Sequence, residues 1–176
     1  VPITYMNSAA NLKAFVGSHG GAVCTSTNAR AVLEWALERP DGPQAAQVLF
    51  FPDQHLGRNT GHQMGFTEAD MAVWNPRADL GGLDEATVKS STFLLWKGHC
   101  SVHQRFQPAH IIKFRNQHPD GFVISHPECS FEVCKQSDYI GSTEYILKTV
   151  KEAVPNTRWL VGTELNLVER LAQEVK

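Results

Sequence analysis

Gly121-Phe-Val-Ile-Ser125-His126-Pro-Glu128, then Asp138-Tyr-Ile140-Gly-Ser142-Thr143, then Arg158-Trp-Leu-Val161-Gly-Thr-Glu164 is the stretch that decides the fold. Each segment carries a short apolar run bounded by Gly, Pro or polar residues, as buried parallel strands do. The first ends on His126 and Glu128. The second runs into a helical pattern over Thr143–Val154, with Ile146, Leu147 and Val150 behind Ser142. The third ends on the acidic Glu164. The same order stands near the start of the chain: Ile3-Thr-Tyr5-Met-Asn7, then Val23-Cys-Thr25-Ser26 opening a helix, then Leu49-Phe-Phe51-Pro-Asp53. Two related modules are the simplest reading. Matching positions lie 121 residues apart at Tyr5 and His126 and 111 apart at Asp53 and Glu164, so the connecting loops differ in length.

Working outward, the pattern predicts strands over Pro2–Met6, Ala22–Cys24, Gln47–Phe51, Thr92–Trp96, Gly121–Ser125, Asp138–Ile140 and Arg158–Val161. Helices are expected over Asn28–Glu38, with Ser26 or Thr27 as cap, and over Leu165–Val175. Alternating strands and helices imply parallel sheets covered on both faces, hence an α/β chain of two homologous three-layer α/β/α modules with short parallel sheets. The first module is expected over 1–103 and the second over 104–176. Residues 58–91, rich in Gly, Asn and Asp, and residues 17–21 read as surface loops.

Composition narrows the function. Against 18 Asp and Glu stand 16 Lys and Arg, a formal net charge of -2, which argues against a strongly basic nucleic-acid binder. No apolar run reaches the ~18 residues of a membrane span, and no signal peptide is visible, so neither nucleic acid nor membrane is an expected partner. The chain does not start with Met and opens inside a strand, which reads as a piece of a longer protein. Its four cysteines, without a secretory signal, point to a reducing compartment such as the cytoplasm.

The polar residues gather at strand ends and helix starts, where open α/β sheets bind ligands. Tyr5 and Asn7 follow one strand, His126 and Glu128 another. Ser26, Ser142 and Thr143 stand where helices begin, and helix N-termini attract phosphate or carboxylate, although plain capping also explains hydroxyls there. The densest local cluster is Trp96-Lys-Gly-His99-Cys100-Ser-Val-His103. Cys100 is a candidate thiolate ligand, and His99 reads as an exposed loop histidine. Cys100-x-x-His103 with His126-x-x-Cys129 also has the residue types of a tetrahedral zinc site, so a zinc-binding structural module stays open. Cys24 and Cys134 read as small buried apolar residues.

Seven motifs carry a family resemblance. In order they are Thr4-Tyr5-Met-Asn7-Ser8-Ala9-Ala10, Cys24-Thr25-Ser26-Thr27-Asn28-Ala29, Pro52-Asp53-Gln54-His55-Leu56-Gly57, Trp96 to His103, His126-Pro-Glu128-Cys129, Gly141-Ser142-Thr143 and Gly162-Thr163-Glu164. Together, across nearly the whole chain, they resemble quinolinate synthase of de novo NAD biosynthesis. The resemblance implies a pseudo-threefold arrangement of three α/β domains, of which this chain carries the second and third. It implies condensation of iminoaspartate with dihydroxyacetone phosphate to quinolinate, phosphate and water. It also implies a [4Fe–4S] cluster with one open iron acting as a Lewis acid.

Residue by residue, the resemblance makes Cys100 a cluster ligand, with the other two ligand cysteines outside this chain, and leaves Cys24 and Cys129 unassigned. Tyr5 and Asn7 would hydrogen-bond substrate oxygens. Ser26, Ser142 and Thr143 would hold phosphate or carboxylate. His103 and His126 would contact substrate, and Glu128 would act as general acid or base; Tyr5, His103 and Glu128 form the catalytic set. Expected partners are the missing first domain and C-terminal segment, and L-aspartate oxidase as iminoaspartate supplier. The chain alone is expected to hold no complete cluster and to be inactive.

Overall fold

The computed structural model describes residues 1–38 and 47–175. The chain divides into two compact units, Val1–His99 and Cys100–Lys176. This boundary falls just before Cys100, so Cys100 and His103 belong to the second unit and not to the first, where the sequence had put them.

The first unit runs β1 (Pro2–Tyr5), α1 (Ala10–Ser18), β2 (Ala22–Cys24), α2 (Ala29–Glu38), β3 (Val48–Phe51), α3 (Gln54–Gln63), β4 (Met71–Trp74), α4 (Glu85–Ser90) and β5 (Phe93–Trp96). Its sheet is parallel throughout, in the order β2-β1-β3-β5-β4. Ile3, Val48, Phe50, Phe93 and Leu95 are fully buried against Leu33 and Leu56 of the helices. The second unit runs α5 (Pro108–Gln117), β6 (Phe122–Ser125), α6 (Phe131–Gln136), β7 (Tyr139–Ile140), α7 (Thr143–Lys151), β8 (Trp159–Gly162) and α8 (Leu165–Glu174). Its three strands are parallel, in the order β7-β6-β8.

Adjacent residues of the central strand show why this unit has three layers. Successive strand side chains point to opposite faces. Val123 packs with Ile111, Val133 and Cys134 from α5 and α6, whereas Ile124 packs with Ile146, Val150 and Leu171 from α7 and α8. Both faces are apolar because both are covered.

The internal repeat extends to strand register. Thr4 pairs with Val23 and with Phe51; Ser125 pairs with Ile140 and with Gly162. The displacements are 121, 117 and 111 residues, continuing the offsets seen in the motifs. The caps repeat too. Asp53 accepts the His55 and Leu56 amides at the start of α3, and Glu164, 111 residues on, accepts those of Asn166 and Leu167 at the start of α8. Thr25 Oγ1 accepts the Asn28 amide at 3.3 Å, as Ser142 Oγ accepts that of Tyr145 at 3.3 Å. Thr25, and not Ser26 or Thr27, therefore makes the cap bond before α2.

Three sequence readings need correction. Residues 58–91 are not a surface insertion. They hold the last turn and a half of α3, strand β4 on the edge of the five-stranded sheet, and α4. Met71 and Ala72 are buried there, and Phe66 packs edge-on against Phe93 at 4.9 Å. The apolar run Met71–Trp74 lies among turn residues, which hid it. Residues 17–21 are not simply a loop either. Gly17 lies in the last turn of α1, and a side chain on Gly21 would come within 1.9 Å of the Pro2 carbonyl oxygen. Finally, α1, α3 and α5 are helices the apolar spacing did not announce.

Met71 tests the first correction. Met71→Ala is expected to lower stability by about 2–5 kcal/mol, as for a buried methionine. A surface-loop residue would cost under about 0.5 kcal/mol, and urea unfolding distinguishes the two.

Candidate active site

In the first unit, Tyr5 ends β1 and is buried, with Asn7 exposed two residues on. Ser26 follows β2, half-buried, one residue beyond the capping Thr25. All three stand at the carboxyl ends of parallel strands, the end at which such sheets take ligands.

The second unit holds the denser constellation. Residue 126 follows β6 directly, and the chain turns there, the Cys129 amide donating to the His126 carbonyl. His103 begins a single 3-10 turn, His103–Arg105, that precedes α5. Their imidazoles stack, with centroids 4.5 Å apart and planes 15° from parallel. Glu128 Oε2 faces both rings, 3.5 Å from His103 Nδ1 and 3.4 Å from His126 Nδ1. These three side chains are at least nine-tenths buried, 9%, 3% and 7% exposed respectively for His103, His126 and Glu128.

Burial sets the charge of the pair. Removing an imidazolium from water disfavours it. His103 is thereby lowered from its usual range to about 4. His126 falls to about 3, from burial first and the nearby His103 second. Both are neutral at pH 7. The Glu128 backbone N–H donates to His126 Nδ1 at 3.3 Å, so that nitrogen carries the lone pair and the ring hydrogen sits on Nε2. His103 Nε2 lies 3.4 Å from Thr163 Oγ1, at the end of β8, while its Nδ1 has no hydrogen-bond partner. His103 and Thr163 also line a cavity of about 310 Å³ walled by Phe106 and Arg105, near the lower limit for small-molecule sites. Two neutral imidazoles and a carboxyl group can accept, donate and relay protons at substrate oxygens.

Thr163 is the member that sequence reading passed over. Gly162-Thr163-Glu164 stands among the motifs, but a threonine after a strand looks like any turn residue. Of the two other hydroxyls expected here, Ser142 is buried and engaged in capping α7, and Thr143 is exposed at the first position of that helix.

The cysteines separate sharply. Cys100 is half-buried on the loop that opens this unit. Cys129 is fully buried, and its thiol donates to the Gly162 carbonyl at 3.4 Å. Burial pushes its pKa above the usual thiol range. Burial also pushes Cys24 and Cys134 up to about 12. Of the zinc quartet read from the motifs, His126 and Cys129 do not join the converging donor group among the described residues. Among the described residues, the donors that converge are Cys100, His103 and Glu128, all within 4.8 Å of one another. For an iron–sulfur cluster, the donor set fits at one corner: Cys100 is half-buried, and the other three cysteines are buried.

Thiol chemistry checks this division. Iodoacetamide on the native protein, read by mass spectrometry, is expected to label Cys100 first, with Cys24, Cys129 and Cys134 reacting only after denaturation. Early labelling of Cys129 would contradict the geometry.

The family model for "Quinolinate synthetase A protein" matches residues 1–176. The quinolinate synthase of Rhodopirellula baltica is 54% identical over 175 residues, 99% of this chain and 43% of that protein. Those of Corynebacterium glutamicum and Staphylococcus carnosus are 51% and 50% identical, with 43% and 46% of their lengths covered. The chain thus spans less than half the length of these curated relatives. With a family model matched from end to end and half of all positions shared with three quinolinate synthases, the chain belongs to the quinolinate synthetase A protein family.

Proposed function

We propose that this chain is the second and third domains of a quinolinate synthase, whose complete form condenses iminoaspartate with dihydroxyacetone phosphate to give quinolinate, phosphate and water. The observation that carries this reading is the buried His103–His126–Glu128 group beside the accessible Cys100, in a chain matched throughout by the family model. Cys100 would hold one corner of a [4Fe–4S] cluster, with the remaining thiolates supplied from outside this chain. When bound, the cluster supplies a Lewis-acidic iron that polarises a substrate oxygen.

The chain's own residues do the rest. His103 and His126, both neutral, hydrogen-bond substrate carboxylate or carbonyl oxygens without adding a counter-charge. Glu128, held against both rings, carries the proton that tautomerisation and dehydration must move. Tyr5 and Asn7 hydrogen-bond substrate oxygens at the strand ends of the first unit. Ser26 and Thr143 take the phosphate or a carboxylate. The repeat supports this last role: the capping bonds belong to Thr25 and Ser142, and Ser26 and Thr143 are the equivalent hydroxyls one residue further on, Ser26 in the turn before α2 and Thr143 at the first position of α7, where helix N–H groups favour anions.

Variants of the complete protein test the proposal. Cys100→Ser is expected to lose the cluster's visible absorption and quinolinate formation together, and Cys129→Ala to keep both. Glu128→Gln should keep the cluster and slow turnover by about 10²–10⁴-fold. Failure of the complete wild-type protein, cluster intact, to make quinolinate from the two substrates overturns the reading.

The anion role is tested separately. Ser26→Ala and Thr143→Ala are each expected to cost about 1–3 kcal/mol in affinity for dihydroxyacetone phosphate, with little change in melting temperature. The reverse pattern, lower melting temperature with unchanged affinity, would leave these hydroxyls a structural role only.

A further inference from the structure

The second unit's two histidines are not equivalent. His126 Nδ1 receives the Glu128 amide, whereas His103 Nδ1 is buried and has no hydrogen-bond partner. An unpartnered polar atom in a side chain nine-tenths buried is costly unless a ligand uses it. That atom faces Glu128 Oε2 at 3.5 Å. The distance is long for a charge-assisted hydrogen bond, which closes to about 2.7–2.9 Å. It is close to the separation of about 3.3 Å kept by two ligands on one tetrahedral ion with ~2.0 Å bonds. The Cys100 sulfur, a ring nitrogen of His103 and a Glu128 carboxylate oxygen all lie within 4.8 Å of one another.

We propose that Cys100, His103 and Glu128 form a binding site for a single thiophilic divalent cation, zinc by its chemistry, that competes with cluster assembly for the Cys100 thiolate. The donors are one thiolate, one imidazole and one carboxylate. A sulfur ligand disfavours magnesium and calcium, and three protein ligands leave a fourth position to water, as in open zinc sites. Two anionic ligands neutralise the ion's charge, and binding releases the thiol proton to solvent. Half-buried Cys100 gives the ion its way in. Thr163 completes the arrangement. With the metal on Nδ1, His103 Nε2–H donates to Thr163 Oγ1, the outer-shell hydrogen bond that ligating histidines characteristically make. His126 lies stacked behind, its Nδ1 already engaged.

The competition rests on the cluster reading proposed above, whereas the cation site itself rests on donors within this chain and is tested without the cluster. The test is anaerobic titration of the iron- and sulfide-free 176-residue chain with cobalt(II), folding being checked by circular dichroism. One equivalent is expected to give thiolate-to-cobalt charge-transfer absorption with the visible bands of a four-coordinate ion, displaced by zinc. Cys100→Ser should abolish the charge-transfer band. Glu128→Gln should weaken binding at least tenfold, and Thr163→Val by about tenfold, with Thr163→Ser restoring it. No charge-transfer band, or one that survives Cys100→Ser in folded protein, overturns the proposal. A site unaffected by both Glu128→Gln and Thr163→Val overturns it equally, because the donors would then be others.

Discussion

The pairing of β6 with β7 on one side and β8 on the other is the constraint on which the second unit depends. Ser125 is held opposite both Ile140 and Gly162. His126, Gly141 and Thr163 are the next residues on the three strands, so the ladder ends all three together. Register in a parallel sheet covered on both faces is strict, because a slip of one residue would exchange every side chain between the two apolar layers. Val123 and Ile124 show what such a slip would undo: each fits a different helix pair. The positions of His126 and Thr163 are therefore consequences of apolar packing several residues away.

From that platform the site follows by burial. His126 and Glu128 lie on the turn after β6, and His103 reaches them from the short 3-10 turn ahead of α5. Burial of the two stacked rings keeps both imidazoles neutral. The same packing buries Cys129 and Cys134 as part of the wall while Cys100 stays reachable on its loop. A low-dielectric environment thus sorts otherwise similar cysteines into inert and available ones.

Much of this was legible in residues, and the failures have identifiable causes. The seven predicted strands correspond to seven of the eight found among the described residues, within about a residue at their ends, because each is a compact apolar run with clear punctuation. β4 escaped because Met71-Ala-Val-Trp74 lies between turn-rich segments. α5 escaped because His110, Lys113 and Arg115 interrupt its apolar positions, only Ile111 being buried. His103, His126 and Glu128 could be named from motifs, and the structure brings them together. The zinc quartet failed at Cys129 because spacing says nothing about which way a thiol points, and this one points to the Gly162 carbonyl. Thr163 belongs to the Gly162-Thr163-Glu164 motif, but only the tertiary proximity of β8 to His103 makes it a partner.

The shared register of the two units amounts to a map of where this architecture tolerates gain and loss of chain. Between equivalent ladder positions, the second unit is four residues shorter from its first strand to its second, since 121 becomes 117, and six shorter from its second to its third, since 117 becomes 111. The first shortening falls where nine-residue α1 is answered by six-residue α6. Strand ladders and cap bonds were held fixed while the crossovers were trimmed. Beyond this shared three-strand core the first unit adds β4 and β5, so within the core it is the crossovers that take up differences in length while the ladder pairs and cap bonds keep their places.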